Sequence, residues 1–422
     1  MIISQIHYLC IKIDLGMILA DIAEYVTDKI SSNDVSLNNY VTTDSLLQNK
    51  RGRECAQNLP PMPCALIHFQ PKDILIANIR PYLKKIWFAD IEGGCSSDVL
   101  VFRAKKGHSS NFLYAVLMQD AFYDYVMKGV KGSKMPRGDK EQIMRYKMPT
   151  FSSDEEQNIG KMVVDIEKKL LLSRSINDNL EKMAKQLYDY WFVQFDFPDE
   201  IGRPYKSSGG EMVWNEKLKR EVPACFDVMN LGNLCSFRNG INYTKDEVGS
   251  GYQIVNVRNI SSSNILLDGE DFDTITVPMA KAENYILNSR DIIIARSGCP
   301  GSARLLLSPT NTLFCGFIIC CSANDSGMRN YLTYCLKQLE GTKATTSGGS
   351  ILQNVSQDTL KGLHIVVPTE LIVKRFNEII DLIFARMLNC LIENKTLTKQ
   401  RDELLPLLMN GQASLNYHLS HD

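Results

Sequence analysis

Two long stripes of apolar residues, each recurring in steps of four and three, are the strongest periodic pattern in the chain. The first stripe runs from Glu155 to Trp191, and its seam holds Ile159, Val163, Ile166, Leu170, Leu180, Ala184, Leu187 and Trp191, with Ser173 and Asn177 interrupting it. This spacing keeps one stripe on one side of a helix, as a coiled coil requires. A helix of that length would be a rod of roughly 55 Å. Since such a rod cannot bury its stripe alone, the pattern predicts a helical partner of similar length.

The second stripe begins at Phe376, and we predict that it is this partner. Its seam holds Phe376, Ile380, Ile383, Met387, Cys390, Asn394, Leu397, Arg401, Leu404 and Leu408. A shift of 217 residues places Asn177 on Asn394 and Leu180 on Leu397. Either stripe alone has an alternative interpretation as an ordinary core-facing helix. Two matching stripes, each interrupted by an asparagine, favour a mutual pair whose polar positions help to fix the register.

The segments that precede the two predicted helices repeat one another in order. Each contains short β-rich runs, a compact helix, a Gly/Ser-containing loop and a short strand before the long helix. Asp73–Ala77 matches Asp291–Ala295 at an offset of 218 residues, and the compact helices are predicted over Ser109 to Val126 and Met328 to Leu339. Leu15-Gly16 is paired with Leu231-Gly232, which makes residues 17 to 20 an insertion or an irregular start. The matches predict a duplicated α+β chain.

The predicted fold class is therefore α+β, with two tandem globular domains and two long helices. The predicted bounds are 1–150 for the first domain, 151–195 for the first helix, 196–222 for a connector, 223–368 for the second domain, 369–411 for the second helix and 412–422 for a tail. The Pro, Gly and Ser content of the stretch from Phe195 to Pro223 predicts an irregular surface connector.

Composition narrows the possible partners only slightly. Hydrophobic content of 44% and charged content of 23% are typical of a globular protein, and the net charge of −1 gives no global field for nucleic acid. A local basic face would still suffice. Twelve cysteines without a CxxC pair indicate reduced, mostly buried thiols rather than zinc sites. The N-terminal stretch contains His7, Lys12 and Asp14 and lacks a basic n-region, so we expect a cytoplasmic protein without a membrane anchor.

Catalytic motifs are absent from the sequence. Neither a P-loop nor HExxH occurs, and the six histidines form no ligand pattern. An amino-methyltransferase needs an Asn/Asp-Pro-Pro-aromatic motif, whereas the stretch from Asn58 to Met62 has the wrong spacing and is predicted to be a loop. Glu167-Lys-Lys169 and Glu393-Asn-Lys395 fit a nuclease ExK triplet, but residues i and i+2 of a helix do not face each other. We interpret both triplets as solvated helix charges and predict no catalytic or metal-binding residue.

A local basic loop is the first candidate binding surface. Residues 126 to 147 carry a net charge of +5, and glycines interleave with the lysines between Lys128 and Lys140. Such a loop can bring backbone N–H groups and ammonium groups close to phosphates, although a solvated lysine-rich loop is the alternative. The candidate DNA-binding residues here are Lys131, Ser133, Lys134 and Arg137.

Further candidates follow the repeated strands. In the first copy they are Arg80, Tyr82 and Lys84, and in the second copy they are Arg296, Ser297 and Arg304. The other candidates of the second copy are Arg258, which precedes the repeated strand, and Lys343, Thr345, Ser347 and Gln353 in the loop from Gly341 to Asn354. Arg can grip guanine bidentately and Gln suits adenine, but each Arg has the alternative of a structural ion pair. Because the two loops differ strongly in charge, we predict that the two copies read different DNA half-sites.

Several strings in the chain resemble the specificity subunit of type I restriction-modification systems. They are "DILIA", "DIIIARSGCPGSAR", "GSKMPRGDKEQ", "SSDEEQ" and above all "INDNLEKMAKQLYDYWFVQFDFPDEIGRPYKSSGGEMVWN", and the resemblance covers nearly the whole chain. It implies that the globular parts are target recognition domains reading a bipartite, asymmetric double-stranded DNA target. It also implies that the helices form an antiparallel coiled coil that spaces these domains with pseudo-two-fold symmetry. The second copy departs from the family pattern, because Pro368-Thr-Glu370 stands where an acidic "EEQ" often enters the helix.

The resemblance further implies partners that perform the chemistry. Two modification subunits would use S-adenosylmethionine to methylate adenine, and restriction subunits would use ATP and Mg²⁺, so this chain would bind no cofactor. Exposed flanks of the first helix, including Tyr188, Tyr190 and Phe192, are a predicted docking surface unless they pack under the connector. Two alternatives remain open at this point: a stand-alone DNA methyltransferase or nuclease, and a non-DNA scaffold with the same duplicated plan.

Overall fold

The computed structural model describes residues 16–132, 134–244, 246–262, 264–267, 269, 272–338, 340 and 355–415. The chain divides into two compact units. Unit 1 comprises Met1–Leu171 with Thr396–Asp422, and unit 2 comprises Leu172–Lys395. Each unit therefore combines a globular part with one segment from each of the two long helices.

The strands and helices follow the predicted α+β pattern. The strands of unit 1 are β1 (Met17–Ile18), β2 (Ala23–Tyr25), β3 (Lys29–Ser31), β4 (Tyr40–Val41), β5 (Ala65–Phe69), β6 (Ile74–Ala77), β7 (Ile86–Phe88), β8 (Gly93–Cys95), β9 (Val99–Ala104) and β10 (Lys147–Met148). Its short helices are α1 (Leu19–Ile22), α2 (Ser110–Met118), α3 (Asp120–Lys128) and α4 (Lys140–Met144). The first long helix is α5 (Ser153–Tyr188).

Unit 2 has a similar set of strands and helices. Its strands are β11 (Met212–Asn215), β12 (Arg220–Pro223), β13 (Asp227–Asn230), β14 (Cys235–Asn239), β15 (Ser250–Val255), β16 (Asp273–Val277), β17 (Asp291–Ala295), β18 (Ala303–Arg304), β19 (Thr312–Phe314), β20 (Ile318–Ala323) and β21 (His364–Val367). Its short helices are α6 (Leu231–Leu234), α7 (Val257–Ser262), α8 (Met279–Ala282), α9 (Arg329–Lys337) and α10 (Gln357–Lys361), and the second long helix is α11 (Glu370–Met409).

One antiparallel sheet has the same topology in both units. Its strand order is β2-β9-β6-β7 in unit 1 and β14-β20-β17-β18 in unit 2. The predicted repeat strands β6 and β17 occupy the same place, and every residue of each is buried. Short, continuous apolar runs suit strands that are covered on both faces. A second sheet accompanies the first, with order β3-β5-β8-β4 in unit 1 and β16-β15-β19 in unit 2.

The predicted match between Leu15-Gly16 and Leu231-Gly232 is wrong. Strand β1 pairs with β10 as β13 pairs with β21. The amide of Leu19 donates to the carbonyl of Tyr146 at 2.9 Å, as the amide of Leu231 donates to that of Leu363 at 2.8 Å. Leu19 therefore stands where Leu231 stands, and residues 17 to 20 form β1 and the start of α1 rather than an insertion. Residues 1–15 lie outside the described part of the chain.

The predicted single helix from Ser109 to Val126 is two helices. Gln119 adopts extended backbone angles (φ −68°, ψ 141°) between α2 and α3. Its side-chain amide donates to the carbonyl of Val116 at 3.2 Å, which partly satisfies the end of α2. A polar residue that offers the backbone a local hydrogen bond can break a helix without Pro or Gly, and the sequence pattern did not show this.

The two long helices pack along the predicted seams. In unit 2, the hydroxyl of Ser173 donates to the carbonyl of Cys390 at 3.4 Å, and the ring of Tyr188 lies 6.3 Å from that of Phe376. A later residue of α5 thus meets an earlier residue of α11, so the segments in this unit are antiparallel. In unit 1, the apolar cluster that holds Val163 also holds Leu405 and Leu408.

Burial along the seams agrees with the prediction. The buried members are Ile159, Val163, Leu170, Ala184, Trp191, Phe376, Ile380, Met387, Cys390 and Leu408, and the half-buried ones are Ile166, Leu180, Leu187, Ile383, Asn394, Leu397 and Leu404. The interrupting residues Ser173 and Asn177 are buried as well. The α+β class and the paired long helices are confirmed.

Aromatic residues at the end of α5 and just after it belong to the core of unit 2. Tyr188 and Phe192 are buried among Tyr331 and Phe376, so the predicted docking role of the first two is wrong, while Tyr190 is 39% exposed. A π-helical turn, Asp189–Val193, redirects the chain there.

The stretch from Phe195 to Pro223 is not simply an irregular surface connector. Strands β11 and β12 form an antiparallel hairpin within it. The ring of Phe197 is buried and stacks on that of Phe226 at 4.7 Å. Packing of these aromatic side chains therefore makes the stretch part of unit 2.

Three smaller predictions can be compared with the structure. The stretch from Asn58 to Met62 lies in a loop, as predicted. Glu167 is buried, so its prediction as a solvated charge is wrong. The described cysteines are free thiols, and six of them are buried, in line with the prediction of reduced core thiols. None of the helices in the described ranges combines the length and apolarity needed to span a bilayer.

Candidate nucleic-acid interface

The predicted basic loop of unit 1 is a hairpin, here called the basic hairpin (Lys131–Arg137). Its two end residues exchange backbone hydrogen bonds, each 3.0 Å long. Gly132 has φ +91°, a left-handed conformation that glycine adopts without steric cost. The hairpin carries the side chains of Lys131, Lys134 and Arg137, all exposed.

Backbone hydrogen bonds hold the basic hairpin against the end of β6. The amide of Arg80 donates to the carbonyl of Pro136 at 2.8 Å, and that of Gly138 to the carbonyl of Asn78 at 3.3 Å. The guanidinium of Arg137 donates two hydrogen bonds, 3.1 and 3.4 Å long, to the carboxylate of Asp98. Two groups of candidate residues, the basic hairpin and a second group that begins at Arg80, are therefore neighbours although they lie more than 40 residues apart in the sequence.

The second group forms the β6–β7 connection, here called the Arg80 turn (Arg80–Lys84). A 3₁₀ turn over Pro81–Leu83 is flanked by Arg80 and Lys84, both left-handed with φ 51° and 49°. Non-glycine residues in such conformations cost about 1 to 3 kcal/mol each and cluster at functional sites. Arg80 is exposed, and the ring of Tyr82 is 50% exposed. The turn therefore presents a cation and an aromatic ring beside the basic hairpin.

Several of the predicted cations already have acidic partners. Lys131 lies 2.7 Å from Asp139, and Lys84 lies 2.8 Å from Asp120. The hydrogen bond with Asp139 raises the pKa of Lys131, so this ammonium stays charged. The pair of Lys131 with Asp139 lies at the surface, where ion pairs contribute little to stability, so a phosphate can replace Asp139 at little cost. Lys134 and Arg80 have no side-chain partner among the described residues.

The β17–β18 connection of unit 2 occupies the equivalent place. The amide of Arg296 donates to the carbonyl of Phe317 at 2.9 Å, as that of Asn78 donates to Asp98 at 2.8 Å in unit 1. The carbonyl of Arg296 accepts from the amide of Val355 at 3.0 Å, as that of Asn78 accepts from Gly138. Arg296 and Ser297 thus begin the matching loop, where both are half-buried.

Two other arginines of unit 2 are held in ion pairs. The guanidinium of Arg304 is 4% exposed and forks onto Glu340 at 2.8 and 3.0 Å. The prediction that Arg304 contacts DNA is therefore wrong, because its side chain is buried in the interior of unit 2. Arg258, at the surface, lies 2.6 Å from Asp273.

Five candidate residues fall outside the described part of the chain. They are Ser133, Lys343, Thr345, Ser347 and Gln353. Their roles stay predictions.

Lys50, a buried lysine in unit 1, is not among the residues predicted from the sequence. The side chain of Lys50 is 7% exposed, and its ammonium lies 2.7 Å from Asp120. Burial lowers the pKa of Lys50, while the ion pair opposes that effect. Lys50 precedes Asp120 by 70 residues and lies in a loop, so no periodicity or motif links the two in the sequence.

The described residues offer nothing that resembles a metal centre. No three His, Cys, Asp or Glu side chains in the described ranges are grouped so that they could hold a metal ion. The surface formed by the basic hairpin and the Arg80 turn consists of lysines, arginines and a tyrosine on two loops that are hydrogen-bonded to each other. Such a surface can bind polyanions and stack on or hydrogen-bond to base edges.

Comparison with known proteins identifies relatives along most of the chain, although no family model matches. Over 314 residues the chain is 23% identical to the specificity subunit of the type I restriction enzyme MjaIX from Methanocaldococcus jannaschii, covering 73% of this chain and 70% of that protein. It is 22% identical to the HindI specificity subunit from Haemophilus influenzae, covering 93% and 98%. The crystal structure of the type I restriction-modification S subunit from M. genitalium shares the fold, with a TM-score of 0.54, 14% identity and coverage of 93% and 95%.

The fold defines a class of proteins with tandem α+β domains and a pair of long helices. Within that class, the chain is related to the specificity subunits of type I restriction-modification systems, so the resemblance inferred from its motifs is confirmed.

Proposed function

We propose that this chain is the subunit that reads a bipartite, asymmetric DNA target and directs partner subunits to it. The observation that carries the proposal is the pairing of the basic hairpin with the Arg80 turn at the end of β6. A loop at the equivalent connection of unit 2 begins with Arg296 and Ser297. The names of the relatives support the same role.

Contacts to DNA would divide between phosphates and bases. Lys131, Lys134 and Arg137 lie on an exposed hairpin and suit the phosphate backbone, which positions a protein without specifying sequence. Arg80 and Tyr82 project from the adjacent turn and suit base edges. The β17–β18 loop offers different side chains, so each unit would read its own half-site. The bases between the half-sites would go unread, and the long helices would set their number.

The chemistry would belong to partner subunits. Two modification subunits would methylate adenines with S-adenosylmethionine, and restriction subunits would use ATP and Mg²⁺. This chain would supply no catalytic residue and would act in the cytoplasm.

Mapping of methylated adenines tests this function. In cells that hold the chain and its modification subunit, we expect one asymmetric bipartite motif to be methylated, and deletion of this chain should abolish that methylation. Methylation by the isolated chain, or S-adenosylmethionine binding to it, would instead indicate a stand-alone enzyme. Unchanged methylation after deletion, with no sequence preference in DNA binding, would indicate a scaffold.

A further inference from the structure

In unit 1, ion pairs connect the Arg80 turn to the long helix α11. Asp120 accepts from two cations, lying 2.8 Å from the ammonium of Lys84 and 2.7 Å from that of Lys50. Lys50 lies 3.9 Å from Asp402 on α11. We call these four residues the first ionic chain: Lys84, Asp120, Lys50 and Asp402. It begins in the proposed reading turn and ends on a long helix.

Unit 2 contains a comparable connection built from other residues. Arg304, on the strand that follows the β17–β18 loop, forks onto Glu340. Lys337 lies 3.6 Å from Glu340 and 3.2 Å from Glu181 on α5. The second ionic chain is therefore Arg304, Glu340, Lys337 and Glu181. Each unit thus links the region of its proposed reading loop to a long helix, from Lys84 to Asp402 of α11 in unit 1 and from Arg304 to Glu181 of α5 in unit 2.

Three cations of the two ionic chains are largely shielded from solvent. The side chains of Lys50, Arg304 and Lys337 are 7%, 5% and 19% exposed. Lys50 is therefore too deep to reach DNA itself. Removal of one member of a buried ion pair leaves an uncompensated charge, so the chains resist rearrangement more than surface pairs do.

The backbone around the first ionic chain is unusually constrained. The amides of Asn49 and Lys50 donate to the carbonyls of Leu83 and Lys84 at 3.0 and 2.9 Å. Asn49, Lys50, Arg80 and Lys84 all have left-handed backbones, with φ between 49° and 61°. Residues other than glycine persist in this conformation only where their surroundings impose it. The contacts to Asp120 and Asp402 are part of those surroundings.

We propose that Lys50 and Asp120 in unit 1, and Glu340 and Lys337 in unit 2, are positioning residues for base recognition. They do not touch DNA; each pair holds its unit's reading loop at a fixed place against a long helix. Base contacts are sensitive to small displacements, whereas phosphate contacts by long flexible lysines are not. This inference rests on the proposed DNA-reading function.

The test uses the full chain assembled with its modification subunit and a library of randomised double-stranded DNA. Base preference at each half-site is compared for the protein without substitutions, for Asp120→Asn and for Lys337→Met. The half-site that belongs to unit 1 is identified as the one whose base preference changes in Arg80→Ala. Asp120→Asn should lower discrimination about threefold to tenfold at that half-site only. Lys337→Met should do the same at the other half-site. Lys399→Met, which removes an exposed pair with Glu403 on α11, is the matched control and should change neither.

Further measurements separate positioning from general destabilisation. The salt dependence of binding to a mixed-sequence duplex should be unchanged in both variants, because the phosphate contacts of the basic hairpin remain. Asp120→Glu and Lys337→Arg keep the charges and should restore much of the discrimination. Equal losses at both half-sites, or full discrimination in both Asp120→Asn and Lys337→Met, would overturn the inference. If the protein without substitutions shows no base preference, the proposed function itself is wrong, and the inference with it.

Discussion

Lys134 has an exposed ammonium without a partner among the described residues, at the tip of the basic hairpin. A lysine in this setting suits a phosphate contact, which contributes to affinity but not to sequence choice. Lys131 and Arg137 differ, because each must exchange an acidic partner for the phosphate.

We therefore expect Lys134→Ala to weaken DNA binding nearly equally for all sequences. The slope of log K against log salt should fall by about one, since one phosphate contact is lost. Titrations of a duplex at several salt concentrations measure this slope. Lys219→Ala, which removes an exposed pair with Glu216 on the β11–β12 hairpin, serves as the control. A loss confined to one DNA sequence would contradict the assignment of Lys134 to phosphate.

Arg401 and Glu167 form an ion pair within the helix seam of unit 1. Their nearest atoms are 2.6 Å apart, and their side chains are 4% and 9% exposed. Arg401 also lies 2.8 Å from Asp402. Although burial opposes the charge, the two carboxylates raise the pKa of Arg401, so the guanidinium remains charged.

Arg401→Met should destabilise the protein by about 3 to 5 kcal/mol, because Glu167 would stay buried without a counter-charge. The double variant Glu167→Met with Arg401→Met should recover most of that loss, since a packed apolar pair needs no compensation. Urea denaturation of the three proteins provides the comparison. A double variant as unstable as the single one would show that the pair is not the origin of the effect.

At the scale of elements, a close approach of α5 to α2 depends on one glycine. A methyl group at Gly160 would lie 2.4 Å from the backbone nitrogen of Phe112 and 2.6 Å from the carbonyl carbon of Asn111. Backbone atoms cannot move aside as flexible side chains do, so any larger residue must push the two helices of unit 1 apart. Gly160 interrupts an otherwise favourable helical sequence for this reason.

Gly160→Ala should consequently lower the melting temperature, although alanine favours helix by about 1 kcal/mol over glycine. Overpacking of a tight contact typically costs about 1 to 3 kcal/mol and exceeds that gain. Thermal unfolding measures the difference, with Gly202→Ala unsuitable as a control because Gly202 has φ +83°. Ser175→Ala, at an exposed position of α5, is the better reference. A melting temperature raised by Gly160→Ala would refute the close contact.

Carboxylates in both units link stability of the whole molecule to pH. Burial alone would raise the pKa values of Asp120 and Glu340, but their ion pairs with Lys50, Lys84 and Arg304 outweigh it and lower both. The unfolded chain therefore takes up protons at these groups before the folded chain does, near pH 4. Their stabilising contribution is complete above that region and is lost as the pH falls through the lower folded pKa values.

We expect the melting temperature to fall as the pH is lowered from about 6 to 3. The fall should be smaller in Asp120→Asn, which lacks one of the titrating groups. Calorimetry over this range in one buffer series tests both statements. Identical pH profiles for the two proteins would mean that Asp120 contributes nothing to acid sensitivity.

The proposed spacer role belongs to the whole molecule as well. Seven residues inserted after Leu171 and after Lys395 would keep the heptad phase of both seams and lengthen each helix by about 10 Å. We expect the unread segment between the half-sites to grow by about three base pairs, given a rise of about 3.4 Å per base pair. Methylation mapping reveals the spacing. An insertion in one helix alone should abolish methylation, and unchanged spacing in the double insertion would contradict the proposal.

The sequence by itself determined the features that depend on local periodicity and repetition. Apolar residues at steps of four and three predict α5 and α11, because only one face of a helix can be buried along its length. Repetition of Asp73–Ala77 at Asp291–Ala295 predicts the equivalent strands β6 and β17, since similar apolar runs occupy similar places. Motifs quoted from the chain likewise predict its relatives.

Only the tertiary structure decided which charged residues meet. Arg304 and Arg80 follow equivalent strands and look alike in the sequence, yet one is buried against Glu340 and the other is exposed. Lys50 and Asp120 pair across 70 residues, and no local pattern encodes such a contact. Periodicity records which face of an element is buried, but ion pairs depend on the distance between side chains from separate elements. Whether each cationic side chain is exposed or buried in an ion pair therefore depends on packing and not on its place in a motif.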